Sequence, residues 1–253
     1  MATPGASSAS GATDVAVPWR PALLVSRGRP SATSVTLMFS VPGWPGHQAG
    51  QHVDVRLTAE DGYQAVRSYS LAAPADGERV EIGIRPTPGG EVSPYLSDDL
   101  PDGASVEVRG PLGGWFVWRP EQEGPVLLAA GGSGIAPLMA MVRARRAAGS
   151  PAPFRLVYSV REPEELWYRD ELSGPAAAAG GLTTRIVYTR RSEPGDERRP
   201  GRVAASDLED ALFGPSAGPT CYVCGPTAFV EHTANLLVAA GHPPEHVRTE
   251  RFG

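Results

Sequence analysis

The hydrophobic rhythm of this 253-residue chain changes at the charged stretch RPEQEG (119–124), and that change constrains the fold more than any other feature. Before it lie ALLVSRG (22–28), SVTLMFSVP (34–42), QHVDVRL (51–57), RSYSLAA (67–73), VEIGIRP (80–86) and ASVEVRG (104–110). These segments are short, rich in β-branched residues, partly alternating, and bounded by Gly, Pro or Asp. Branched side chains fit a pleated surface and turn residues interrupt it, so each reads as a strand. One helix-like segment, SPYLSDDL (93–100), breaks the series. Six strands with a single short helix predict a small antiparallel barrel over residues 19–119.

After the change, PVLLAA (125–130), FRLVYSV (154–160), TTRIVYT (183–189), TCYVCG (220–225) and HVRTERF (246–252) read as strands. Between them, APLMAMVRARRAA (136–148), PEELWYRDEL (163–172), ASDLEDALF (205–213) and TAFVEHTANLLVAAG (227–241) read as helices. Strict alternation predicts a five-stranded parallel sheet with helices on both faces, over residues 120–253. Such a sheet binds ligands beyond the carboxyl ends of its strands. A chain of this length can bury two cores, which makes the fold class α/β preceded by an all-β barrel.

Composition narrows the function. The net charge is −5 and no basic run stands out, which argues against nucleic acid as a partner. All 23 cationic residues are arginine, a bias shared with the abundant Ala, Gly and Pro and unrelated to mechanism. Residues 1–18 are small and nearly uncharged, without the basic start and apolar run of a signal peptide, and read as a disordered tail. Residues 124–142 are uncharged and long enough to span a membrane, but glycines, prolines and a serine in their middle make them a buried strand, turn and helix. The expectation is a soluble, cytoplasmic protein without a membrane partner.

Three local patterns carry chemistry. The first strand-to-helix turn of the second half is Gly131-Gly132-Ser133-Gly134, with Pro137 in the first helical turn. It suits close approach of a phosphate to free N–H groups, and it equally suits tight strand–helix packing. In the barrel, Arg67 and Tyr69 share one strand face, a pairing that fits a ligand with a phosphate and a flat ring or an ordinary surface pair. The third pattern is C-x-x-C. Cys221 and Cys224 are the chain's only cysteines, and residues three apart on a strand point to opposite faces. They therefore cannot share a metal or close a disulfide. His242 and His246 are four apart, but Pro243-Pro244 rules out a helical metal pair, so no metal site is expected.

The ordered set RSYS (67–70), GGEVS (89–93), GPLGGWF (110–116), GGSGIAP (131–137) and CGP (224–226), ending in ERFG (250–253), resembles the ferredoxin–NADP reductase superfamily over residues 19–253. The resemblance implies a flavin-binding barrel followed by a nicotinamide-nucleotide domain. Arg67 would then pair with the flavin pyrophosphate, Tyr69 would lie against the isoalloxazine ring, and Ser70, beside Ser68, would hydrogen-bond near N5. Gly90, Glu91, Val92 and Ser93 would hold the pyrophosphate at a helix start. Gly131 to Gly134 would take the nicotinamide nucleotide's pyrophosphate, with Ser133 near its ribose. Cys224, followed by Gly225 and Pro226, would place the nicotinamide ring, while Glu250 and Phe252 would stand near the flavin. Cys221 remains a small core residue.

The cofactor this implies is FAD, although relatives that bind FMN share the Arg-x-Tyr-Ser pattern, with NADPH or NADH as donor and neither iron–sulfur cluster nor metal. Thr189, Arg190 and Arg191 follow a strand without a nearby acid, which favours the 2′-phosphate of NADPH. The acceptor would be a separate protein: a ferredoxin, a haem protein, a molybdenum enzyme or an oxygenase. A flavin or quinone reductase with a small-molecule acceptor is the alternative enzyme, and a non-catalytic flavin-binding redox sensor the alternative of another class.

Overall fold

The computed structural model describes residues 17–173 and 181–252. Of the expected tail over 1–18, all but Val17 and Pro18 lies outside the described residues, as do 174–180 and Gly253.

The first half forms β1 (Trp19–Ser31), β2 (Ser34–Ser40), β3 (His52–Thr58), β4 (Gln64–Ser70), β5 (Arg79–Ile84) and β6 (Ser105–Leu112). They pair antiparallel in the order β4-β3-β6-β1-β2-β5. A bridge between Leu71 and Ile82 joins the two edges and closes the barrel. The period of two decides what goes inside: Val35, Leu37 and Phe39 on β2 and Val80, Ile82 and Ile84 on β5 are buried, with the residues between them less so. Each such side chain contributes about 1.5–3 kcal/mol of burial.

The expected short helix is present as one α-turn, Val92–Pro94, running into a wider π-turn, Tyr95–Asp99. Val92, Leu96 and Leu100 anchor it to the barrel core. Its terminal carbonyls need donors. Arg27 of β1 supplies them, reaching the carbonyls of Leu96 at 3.0 Å, Leu100 at 2.6 Å, and Ser97.

The second half forms a parallel sheet of β7 (Val126–Gly131), β8 (Phe154–Val160), β9 (Leu182–Tyr188), β10 (Thr220–Pro226) and β11 (Val247–Phe252), in the order β11-β10-β7-β8-β9. Two long helices cover it, α1 (Ile135–Ala147) and α2 (Thr227–Ala239), on opposite faces. Two predicted helices differ. PEELWYRDEL forms a short turn, Pro163–Glu165, and one helical turn, Arg169–Leu172. Between them Leu166, Trp167 and Tyr168 are all buried, and three consecutive side chains cannot all face inward from one helix. ASDLEDALF keeps only Ala205–Leu208. There Asp210 accepts from the Leu212 amide at 2.9 Å and pairs with Arg155, a local bond that competes with helix continuation.

Arg143 of α1 ties the halves together. Its guanidinium donates to the Ala72 carbonyl at 2.8 Å and to Glu81 of β5 at 2.9 Å, and pairs with Glu171 on its own side at 2.5 Å. The ring of Tyr168 lies 4.7 Å beneath it. No helix among the described residues is long and apolar enough to cross a membrane.

Candidate functional site

The sheet order places β7 beside β10, strands far apart in sequence whose connections leave in opposite directions, so their carboxyl ends open into a crevice. Two turns meet there. A Cβ at Gly134 would fall 2.1 Å from the Cys224 carbonyl oxygen, and one at Gly131 would fall 2.6 Å from the Phe229 ring. These glycines allow the turns to pack together. Gly132 differs: its φ of +54° is left-handed, and its Cα faces open space near Arg85. The packing reading of the glycine cluster is therefore realised at Gly131 and Gly134, while Gly132 leaves open space.

A cavity of about 410 Å³ lies between the barrel and this crevice. Its size falls in the range of small-molecule sites, ~300–1,000 Å³. Arg67, Ser68, Tyr69 and Ser70 of β4 line it, together with Gly90, Glu91, Val92, Ser93 and Phe252. The Arg67 guanidinium donates to the carbonyl of its own neighbour Val66 at 2.7 Å, and no carboxylate pairs with it among the described residues. Burial pushes the Tyr69 phenol up to about 12, so it stays neutral. Ser93 Oγ accepts from the Thr87 amide at 3.0 Å and Gly90 donates to the Thr87 carbonyl at 2.9 Å, which together shape the loop before the helical turn. Tyr63 donates to Glu91 at 3.2 Å. Ser133 lines this cavity rather than the one beyond the strand ends, where its neighbours Gly131 and Gly132 sit.

Ser68, Ser70 and Phe252 also line a neighbouring cavity with His52, Trp115, Glu250 and Arg251. At this junction Ser70 Oγ donates to Glu250 Oε1 at 3.3 Å, from β4 of the barrel to β11 of the parallel sheet. Burial raises the Glu250 carboxyl to about 7, against the lowering effect of the Ser70 bond. Glu250 is also the register partner of Cys224. Cys224 is fully buried, and burial followed by the Glu250 charge pushes its thiol far up, so it is a neutral thiol. It packs with Tyr222 in one core cluster, while Cys221 packs with Val223 in the cluster on the opposite face. Burial alone raises the Cys221 thiol to about 12. The C-x-x-C is two separate core positions.

A further cavity of about 210 Å³ follows the ends of β7, β8, β9 and β10. Gly131, Gly132, Thr189 and Pro226 line it, as do Arg85, Arg161, Glu165, Arg202 and His232. Arg190 and Arg191 do not. Arg191 is held by Glu162 at 3.1 Å and by Glu164. The sequence reading missed Arg161 and Arg202. Arg161 directly follows β8 and was open to the same strand-end argument that selected Thr189. Arg85 and His52 had no such signal, because only the apposition of two segments places them. Gly225 is buried beside Gly131. Among the described residues no group of three or more His, Cys, Asp or Glu side chains is placed to hold a metal ion.

Residues 23–117 match the model of an oxidoreductase FAD-binding domain, and residues 128–235 that of an oxidoreductase NAD-binding domain. The chain is 38% identical over 206 residues to the ferredoxin–NAD(P)+ reductase component of the naphthalene 1,2-dioxygenase/salicylate 5-hydroxylase systems of a Ralstonia species, covering 80% of this chain and 60% of that one. It is 33% identical over 211 residues to ferredoxin–NADP reductase B of Sorangium cellulosum, covering 81% and 85%. The chain spans 45% of the length of another relative, methane monooxygenase component C of Methylosinus trichosporium. Its fold matches the flavohem-like FAD/NAD-binding domain of a Vibrio cholerae nitric oxide dioxygenase, with a TM-score of 0.81 at 24% identity, covering 92% of this chain and 98% of that one. It also matches a ferredoxin–NADP+ reductase of Neisseria gonorrhoeae, with a TM-score of 0.77 at 20% identity, covering 92% and 98%. With both domain models matched and the Sorangium reductase covered over most of its length, this chain belongs to the ferredoxin reductase family of FAD- and NAD(P)-binding oxidoreductases.

Proposed function

We propose that the protein is an NAD(P)H-dependent flavoprotein reductase that takes hydride onto bound FAD and passes electrons to a separate acceptor protein. The observation that carries this reading is the Ser70–Glu250 hydrogen bond, which joins the barrel cavity to the parallel sheet beside the ends of β7 and β10. FAD, when bound, accepts two electrons together from a nicotinamide nucleotide and gives them up singly.

The residues present fit that group. Among the described residues Arg67 has no carboxylate partner, and it offers a charge-assisted, bidentate grip on a pyrophosphate in the cavity that Gly90 to Ser93 also line. Tyr69 and Phe252 offer aromatic walls, and Ser70 offers a hydroxyl at the junction. The chain's task is positioning, since hydride moves only between atoms held about 3–3.5 Å apart. Cys224 acts as a neutral spacer behind that junction, its thiol too buried to ionise. No side chain is required to gain or lose a proton in the hydride step. The barrel, 19–119, and the nucleotide domain, 120–253, are the two units that this task requires.

NADPH is the donor we favour. Arg161, Arg202 and Thr189 line the cavity beyond the strand ends, and two guanidinium groups there suit an additional phosphate. Arg191 is neutralised by two glutamates, and Arg190 lies beside it, so the grip moves from the 190–191 pair to Arg161 and Arg202. Relatives named as reductase components of a naphthalene dioxygenase system and of an aromatic O-demethylase, and one named methane monooxygenase component C, make an oxygenase or its ferredoxin the favoured acceptor class.

The test is flavin content. The purified protein should be yellow and release FAD on denaturation, and Arg67→Ala should lose most of it, because a charge-assisted contact to a phosphate is worth about 1.5–3 kcal/mol. A colourless protein that FAD does not reconstitute ends this reading.

A further inference from the structure

One cross-strand row of the barrel carries a polar chain. Ser68 on β4, Asp54 on β3, Arg109 on β6 and Trp19 on β1 are successive register partners. Side chains directly opposed on one sheet face are close enough to touch, and these do. Ser68 Oγ donates to Asp54 Oδ1 at 2.6 Å. Asp54 Oδ2 accepts from Arg109 Nε at 3.2 Å and from Nη2 at 2.5 Å. The Arg109 guanidinium rests 4.9 Å over the Trp19 ring.

One end of the row reaches the candidate site. Ser68 lines both the barrel cavity and the neighbouring cavity at the Ser70–Glu250 junction. Its hydroxyl proton is committed to Asp54, so toward the cavities its oxygen can only accept. Behind it the order of charges is fixed: the carboxylate stands next to Ser68, and the guanidinium lies one strand farther away. Exposure differs as well, at 10% for the Asp54 side chain against 41% for Arg109. Water therefore screens the cation more than the anion, and the cavity wall feels the negative end of the pair. Burial pushes the Asp54 carboxyl up, but the bonds from Ser68 and Arg109 outweigh it and hold the group below its ordinary range, so it is ionised.

In hydride transfer the nicotinamide C4–H bond breaks with both its electrons, an N–H bond forms at flavin N5, and the flavin ring gains one negative charge. We propose that Asp54 holds down the flavin's reduction potential: through Ser68 it turns the negative end of the Asp54–Arg109 pair toward the ring and makes that added charge less favourable. The reduced flavin is thereby a stronger donor to the acceptor protein. Asp54 is a positioning residue, acting through Ser68 rather than on the reacting atoms. This inference rests on the reading of the barrel cavity as the flavin site.

The two charges predict opposite signs. The midpoint potential of the bound FAD is read by anaerobic titration against a reference dye at pH 8, where burial keeps His52, two places before Asp54, uncharged. Asp54→Asn keeps the shape and loses the charge. It should favour the reduced flavin about tenfold, a rise of roughly 30 mV for a two-electron couple. Arg109→Gln leaves the carboxylate uncompensated and should shift the same equilibrium about threefold toward the oxidised flavin. Ser68→Ala keeps both charges and should move it by less than about twofold. A purely structural row predicts that Asp54→Asn lowers Tm and leaves the potential unchanged, and that result overturns the proposal. Shifts of the same sign in Asp54→Asn and Arg109→Gln overturn it as well. Should Asp54→Asn fail to hold FAD, Arg109→Gln, on the exposed side of the pair, decides alone: an unchanged or raised potential overturns the proposal. If the wild-type protein binds no flavin, the cavity reading falls with it; if it binds flavin and the potentials do not separate, only this inference falls.

Discussion

Replacing Arg143 with Met should loosen the junction between barrel and nucleotide domain by a measurable amount. The side chain is 20% exposed and serves three acceptors: Glu81 at 2.9 Å, the Ala72 carbonyl at 2.8 Å, and Glu171 at 2.5 Å. Met preserves the apolar stem against Tyr168 but leaves Glu81, at 18% exposure, without its cation and Glu171, at 33%, with only Arg146 at 4.0 Å. Breaking a buried pair from one side costs about 3–5 kcal/mol, and water reaching the freed carboxylates reduces that to roughly 2–3 kcal/mol here. For a chain of this size each kcal/mol corresponds to about 2–4 °C, so Tm should fall by about 5–10 °C. Glu171→Gln keeps the Glu81 arm and should cost about 1 kcal/mol. Thermal unfolding followed by circular dichroism, at matched FAD content, measures both. An Arg143→Met protein within about 1 °C of the wild type, or one less affected than Glu171→Gln, would refute the clamp.

Gly134→Ala should destabilise by more than about 2 kcal/mol, since its Cβ would meet backbone, while Gly132→Ala should cost about 1 kcal/mol of left-handed strain; urea titrations rank the pair, and the reverse order contradicts the packing of the two turns. Cys224→Ala should slow hydride transfer in stopped-flow experiments with FAD content unchanged, whereas Cys221→Ala, on the opposite face, should cost only packing stability; equal effects on transfer would sink the strand-face argument. Glu250 has its folded pKa raised to about 7 from 4.5, so the folded state holds the extra proton between those values. The wild type should therefore lose stability relative to Glu250→Gln as pH rises from 5 to 8, and a difference that is flat or shrinks with pH removes the buried carboxyl from the account. NADPH should exceed NADH in kcat/KM, and Arg161→Gln with Arg202→Gln should erase the preference while sparing NADH; a wild type favouring NADH overturns the 2′-phosphate assignment.

Much of the fold was legible because its signals are local. Period-two alternation on β2 and β5 and the strand–turn–helix at 126–147 depend on neighbours in sequence, and the structure repeats them within a residue or two. The facing of Cys221 and Cys224 followed from strand geometry alone. What escaped was tertiary. Leu166, Trp167 and Tyr168 fall inside a helix-like segment, yet the core takes all three, with Leu166 extended and Tyr168 left-handed. Ser133 lines the cavity beside the barrel together with Ala136 of α1, which no turn motif announces. Charge at a strand end marks Arg190 and Arg191, but Arg191 pairs with Glu162 and Glu164 at the neighbouring strand's exit, and neither arginine lines the cavity. Arg85 shares a cavity wall with Gly131 and Gly132 only because two domains meet.

The most direct test of the central claim is anaerobic mixing of the FAD-loaded protein with NADPH while the flavin absorbance near its visible maximum is recorded. The account predicts rapid bleaching, complete within the enzyme's turnover time, followed by recovery of the yellow colour when a one-electron acceptor such as ferricyanide or a ferredoxin is added. A flavin that neither NADPH nor NADH bleaches, in protein that holds FAD stoichiometrically, would contradict it and leave a flavin-binding module without reductase function.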